Sequence, residues 1–118
     1  MPSPESPGDT ALAARYRPCL ATEIAELRAA SEAGAEARRP VTLDQQSVGR
    51  LSRMDALQNQ AMAAGTEARR LARIRALEAA LARIGEGEFG YCGDCGGFIG
   101  LKRLDLDPAA ARCMDCAA

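Results

Sequence analysis

The 118-residue chain has no histidine and no tryptophan, and its aromatic content is 3%. Without histidine the commonest general base is missing, and with it every Ser-His, Cys-His or His-metal catalytic arrangement. So few bulky side chains also exclude a three-layer enzyme core built around a deep pocket. Charge of one sign is lacking as well. Fifteen basic residues stand against 16 acidic ones, a formal net charge of -1, unlike a protein built to coat nucleic acid or anionic lipid. The opening Met-Pro-Ser-Pro-Glu-Ser-Pro-Gly-Asp has neither the basic n-region nor the apolar h-region of a secretory signal. Nowhere do about 18 apolar residues run together, as a membrane span requires. The expectation is a cytoplasmic protein that does not enter a membrane. In a reducing compartment, paired cysteines more often hold a metal than form disulfides.

What is abundant points to helix. Alanine fills 25 positions, and leucine, arginine and glutamate supply much of the rest. That is the composition of long helices packed along a stripe. Fourteen of the 15 basic residues are arginine, whose fork suits phosphate or carboxylate.

Residues 1–9 are proline- and serine-rich and are expected to be a disordered arm. From Thr10 to Arg39 the spacing of Leu12, Tyr16, Leu20, Ile24, Leu27 and Ala30 predicts one helical face. Pro18 implies either a kink or a helix that is firm only from about Arg17, and Pro40 should end it. Thr42 with Gln45, and Ser52 with Asp55, both resemble capping signals, so the second helix could begin at either; a firm start near Ser52 is the preferred reading. It should run to Ile84 with a stripe of Leu57, Ala61, Ala64, Ala68, Leu71, Ile74, Leu77, Leu81 and Ile84, and stop at Gly85-Glu86-Gly87. A helix this long needs a partner for its stripe. The two helices should therefore fold back as an antiparallel coiled-coil hairpin. Glutamates dominate the first helix, whereas Arg69, Arg70, Arg73, Arg75 and Arg83 lie on the second. Those arginines either complement the glutamates or form a solvated face. The expected organisation is arm 1–9, hairpin 10–84 with its tip at about 40–55, and head 85–118.

The head carries Cys92-Gly93-Asp94-Cys95 and Cys113-Met114-Asp115-Cys116, two C-x2-C pairs separated by seventeen residues. Each pair can offer two thiolates from a tight knuckle, and the adjacent glycines permit the turn. Two knuckles complete a four-cysteine site with no open position, the geometry of one structural zinc. An iron–sulfur cluster or two redox-active dithiols are the rival uses of these residues. Cys19, far away in sequence, is expected to be a small helix-face residue outside the metal site.

The order of helix, turn, long helix, Gly-Glu-Phe-Gly-Tyr-Cys, Ile-Gly-Leu-Lys-Arg-Leu and Cys-Met-Asp-Cys resembles the DksA/TraR family of zinc-finger regulators. The likeness is most specific from Leu71 to Cys116; over residues 10–70 it is architectural. It implies a monomeric, non-enzymatic transcription regulator that binds bacterial RNA polymerase, with no sequence-specific DNA contact. The hairpin would enter the secondary channel and its tip would modulate initiation, often together with the alarmone ppGpp. Family tips usually carry Asp-x-x-Asp-x-Ala, where this chain has Ser52-Arg53-Met54-Asp55-Ala56. Asp55 and Ala56 are thus the matching tip residues, and Asp44 a second candidate. Asp55 could equally be a helix-start residue favoured by the dipole. Arg69 and Arg103 match family positions that contact polymerase or ppGpp, whereas Ala76, Asp107 and Ala117 stand where a base is usual. Longer members continue into a C-terminal helix past the point corresponding to Ala118. Two other classes compete. One is a zinc-ribbon protein binding nucleic acid through the Arg69–Arg83 basic face; the other is a thiol-disulfide or metal-storage protein using the C-x2-C pairs.

Overall fold

The computed structural model describes residues 8–39 and 50–117. Helix α1 spans Asp9–Ala33 and helix α2 spans Arg50–Glu86; a 3-10 turn at Glu36–Arg38 follows α1. Two short helices, α3 (Leu101–Leu106) and α4 (Met114–Ala117), belong to the head. The chain is mainly helical, a two-helix hairpin with a small head at its base. Its principal extents are 70 × 27 × 20 Å.

Helix α1 runs through Pro18 without interruption. Ala14 and Pro18 are both exposed, so the hydrogen bond that proline removes is lost on the solvent side, where water replaces it. Leu12, Tyr16, Leu20 and Ile24 stay buried on the other side. The late start weighed for this helix is therefore corrected. So is its end, which falls at Ala33 and not at Arg39. Gly34 closes it by donating to the Ala30 carbonyl at 3.0 Å. The chain then folds over so that Arg38 donates back to the Ser31 carbonyl at 2.9 Å. The expected bend at Pro40, the capping signal at Thr42 and the candidate Asp44 lie outside the described residues.

Helix α2 begins at Arg50, two positions ahead of the preferred Ser52. It ends at Gly87, whose φ of +74° is the left-handed conformation that glycine tolerates. Gly87 donates to Ile84 at 3.2 Å and Glu88 to Arg83 at 2.9 Å, a paired closure that satisfies the last carbonyls. Gly85 is still helical.

The apolar stripe of α2 is correct at one end and displaced at the other. Ile74, Leu77 and Ile84 are buried together with Ala80, and Leu81 packs against them. Toward the tip, Leu57 and Leu71 are 50% and 43% exposed, and Ala61, Ala64 and Ala68 face solvent. The less exposed line there is Ala56, Gln60, Ala63, Glu67 and Arg70. Glu67 explains the rotation. It accepts from the Ser31 hydroxyl at 2.5 Å and pairs with Arg38 at 3.3 Å and Arg70 at 3.7 Å. The charge-assisted hydrogen bond from Ser31, worth about 1.5–3 kcal/mol, together with the two flanking ion pairs, outweighs burial of an alanine methyl at about 0.8 kcal/mol per carbon.

The core lies at the base, where hairpin and head share it. Tyr16 of α1 meets Phe89 with ring centroids 5.4 Å apart, and Leu104 of α3 is fully buried in the same cluster. Gly90, at φ +92°, sits where a Cβ would come within 3.2 Å of Leu12 and 3.4 Å of Phe98. Only glycine lets the chain cross the helix ends so closely. Two polar ties clamp the junction. Asp105 accepts from Arg15 at 2.7 Å and from the Tyr16 hydroxyl at 2.7 Å. Arg73 bridges Glu23 at 2.6 Å and Asp107 at 2.8 Å, joining both helices to the head.

Candidate metal centre and rod tip

The first knuckle is shaped by backbone alone. Cys92 N–H donates to the Gly97 carbonyl at 2.8 Å and Gly96 N–H to the Cys92 carbonyl at 2.9 Å, a turn that needs Gly96 at φ +74°. An antiparallel bridge between Tyr91 and Phe98 closes it. The second knuckle is brought alongside when Gly93 N–H donates to the Ala111 carbonyl at 2.9 Å. Arg103 holds it there, donating to the Arg112 carbonyl at 2.9 Å and approaching the Met114 sulfur at 3.2 Å.

These constraints gather Cys92, Cys95, Cys113 and Cys116 with all four Sγ atoms within 4.8 Å of one another. Cys95 and Cys113 sulfurs are 3.7 Å apart. A Zn–S bond of about 2.3 Å sets a tetrahedral S–S edge of about 3.8 Å, so the donor set fits a zinc ion. The sulfurs are electrostatically unequal. Backbone N–H groups of Cys95 and Cys113 pull the Cys92 thiol down to about 6. The neighbouring Cys113 and Cys92 sulfurs push the Cys116 thiol up. Four thiolates this close repel one another, and a divalent cation removes that repulsion. Cys19 is exposed on α1, and among the described residues its thiol donates only to the Arg15 carbonyl, at 3.6 Å.

Arg83 also borders this site. It lines a cavity of about 510 Å³ with Tyr91, Cys92 and Gly93, donates to the Ala109 carbonyl at 3.4 Å, and burial lowers its pKa. The other arginines divide. Arg70 and Arg73 are ion-paired, and among the described residues Arg69 donates only to Thr66, at 3.1 Å.

The tip residues lie far from the metal centre. Asp55 and Gly87 are separated by 32 positions of nearly continuous helix, about 48 Å at 1.5 Å per residue. Asp55 is exposed and Ala56 half-buried. The first turn of α2 has no acidic residue, so Asp55 sits beyond the turn where the helix dipole acts most strongly. What sequence reasoning missed is the junction. Tyr16 was only an apolar stripe position, and nothing in the spacing linked Arg15 to Asp105 or Arg73 to Asp107.

A long helical hairpin closed at its base by a four-cysteine structural zinc finger defines the class of protein. Residues 87–118, about a quarter of the chain, match the prokaryotic dksA/traR C4-type zinc finger. It is 42% identical over 43 residues to the RNA polymerase-binding transcription factor DksA of Escherichia coli K12, a stretch covering 36% of this chain and 28% of the relative. Against the protein of the same name from Buchnera aphidicola the figure is 44% over 43 residues, again 36% and 28%. The chain thus matches under a third of the length of these curated relatives. The fold is similar to the solved structure of transcription factor DksA2 from Pseudomonas aeruginosa, with TM-score 0.74 and 23% identity, covering 91% of this chain and 81% of that one.

Proposed function

We propose that the protein is a cytoplasmic, non-enzymatic regulator of transcription that binds bacterial RNA polymerase through its secondary channel and modulates initiation without sequence-specific DNA binding. The observation that carries this reading is the joining of a dksA/traR finger to a rod whose far end offers a hydrated carboxylate, Asp55. Support comes from the relatives, which are named RNA polymerase-binding transcription factors. The base is suited to grip a rim, because the core and the Arg15–Asp105 and Arg73–Asp107 ties hold head and rod together. The tip is suited to act at depth. In this reading Arg69 and Arg103 contribute to polymerase or ppGpp contact. Arg103 does so with part of its fork already committed to the second knuckle.

The nucleic-acid alternative loses ground on the Arg69–Arg83 face, because Arg70 and Arg73 neutralise carboxylates of the protein itself and only part of the face is free for phosphate. The test is co-purification of the zinc-loaded chain with core RNA polymerase from its native cell, followed by open-complex lifetime measurements. Failure to bind core enzyme, with tight and steeply salt-dependent DNA binding, would overturn the proposal in favour of the alternative.

A further inference from the structure

Arg103 touches the chain on both sides of a metal ligand without being one. It lies half-buried on α3, and α3 holds it firmly. Leu104 beside it is fully buried, and Asp107 N–H donates to the Arg103 carbonyl at 2.9 Å. From there the guanidinium reaches both neighbours of Cys113. Nε donates to the Arg112 carbonyl at 2.9 Å, and Nη1 to the Met114 sulfur at 3.2 Å. Among the described residues no carboxylate pairs with Arg103, so no ion pair draws the fork away from this knuckle.

The Arg112 carbonyl belongs to the same peptide unit as the Cys113 N–H, and that N–H is directed at the Cys92 sulfur. One amide thus connects the guanidinium to a ligand of the other knuckle. A carbonyl that accepts a hydrogen bond makes the N–H of its own amide a stronger donor, because bonds in a chain polarise one another. Four thiolates around one divalent ion leave a loaded centre with excess negative charge. A cation acting through a peptide dipole complements that charge.

We infer that Arg103 is a positioning residue of the metal centre, fixing Cys113 from both flanks and steadying the Cys92 sulfur through the Arg112–Cys113 peptide. The side chain must be a fork, since a single donor cannot hold the carbonyl and the thioether together. Lys102, the adjacent cation, is exposed and supplies a charge without this grip. Metal binding is measurable without polymerase, so the test is independent of the functional reading.

Competition between the full chain and a chromophoric chelator measures zinc affinity. Arg103→Gln should lower it about 10–100-fold, the usual effect of losing a partner that orients a metal ligand. Arg103→Lys keeps the charge but reaches one acceptor at most, and should recover no more than part of the loss. The cobalt-substituted chain gives a second reading, because its d–d absorption follows the geometry of the four sulfurs. Those bands should shift in both Arg103 variants. Two controls separate grip from charge and from a loosened head. Lys102→Gln removes the neighbouring cation, and Arg15→Gln breaks the ion pair with Asp105 at the base. Both should keep zinc affinity within about twofold and leave the cobalt bands in place. Affinity of Arg103→Gln within about twofold of the wild type, full recovery in Arg103→Lys, an equal loss in either control, or unshifted cobalt bands in the Arg103 variants would each overturn the inference.

Discussion

Cys19 and Cys92 have the same side chain in opposite surroundings. The first is an exposed helix residue, and the second is buried with its sulfur beside backbone N–H groups of both knuckles. Zinc content should separate them. Cys95→Ser should lose the metal and unfold the head, whereas Cys19→Ser should keep about one zinc per chain by metal analysis; full zinc in Cys95→Ser would sink the assignment. Tyr16 and Asp105 give the residue scale a pH dependence. Burial, and then the hydrogen bond to Asp105, raises the Tyr16 phenol to about 12. A raised pKa means the folded state prefers the proton, so this contribution is whole below about pH 10 and is lost as pH rises toward 12. Asp105 is shifted the other way: hydrogen bonds from Tyr16 and Arg15 hold its carboxyl below the usual range. Its contribution is present above that range and fades in acid. Between pH 10 and 12, thermal melts of the wild type should lose stability faster than those of Tyr16→Phe. Parallel losses in the two proteins would refute the tie.

At the scale of elements, the hairpin is two kinds of interface in series. Near the base α1 and α2 meet through Leu20, Ile24, Ile74 and Leu77; near the tip they meet through Ser31, Arg38, Glu67 and Arg70. Leu77→Ala should therefore cost roughly 2–5 kcal/mol, whereas Leu71→Ala, on the exposed line, should cost about 0.5 kcal/mol. Equal losses in urea melts would contradict the rotation of α2. Arg73→Ala should cost about 1–2 kcal/mol by leaving Glu23 and Asp107 without their bridge, and Arg75→Ala within about 0.5 kcal/mol. The base was legible in the sequence because bulky side chains at three-four spacing have one way to leave water. So was the metal site, since C-x2-C geometry is local. The tip half was not legible, because alanine burial is weak enough for one glutamate on the adjacent line to decide which way the helix faces. The contacts between Arg15 and Asp105, and between Arg73 and Asp107, join charges 90 and 34 positions apart, and charges carry no periodic signal. Pro18 misled for a simple reason: on an exposed face its missing hydrogen bond is made up by water.

The whole molecule is a rod 70 Å long with its core and its metal at one end and its candidate acid at the other. That separation lets binding and effect be carried by different residues. On the proposed function, the base anchors the protein to the polymerase surface, since only there are head and both helices one packed body. The tip alone can reach the bottom of a narrow channel, and Asp55 is exposed there. There it can interact with a catalytic metal ion or with basic polymerase side chains. Asp55→Asn keeps size and removes the charge at an exposed position, so the rod should be unaltered by circular dichroism. Polymerase affinity should stay within about threefold, less than roughly 1 kcal/mol, while any change in open-complex lifetime disappears. Arg69→Ala should do the reverse, weakening binding while leaving the effect intact at saturation. If Asp55→Asn weakens binding as much as Arg69→Ala, the tip is a second anchor and the division of labour along the rod is wrong. If it changes neither binding nor lifetime, a tip with Asp55 in place of the family's two-acid pattern acts without its carboxylate, and Ala56 and the 40–49 segment become the residues to vary.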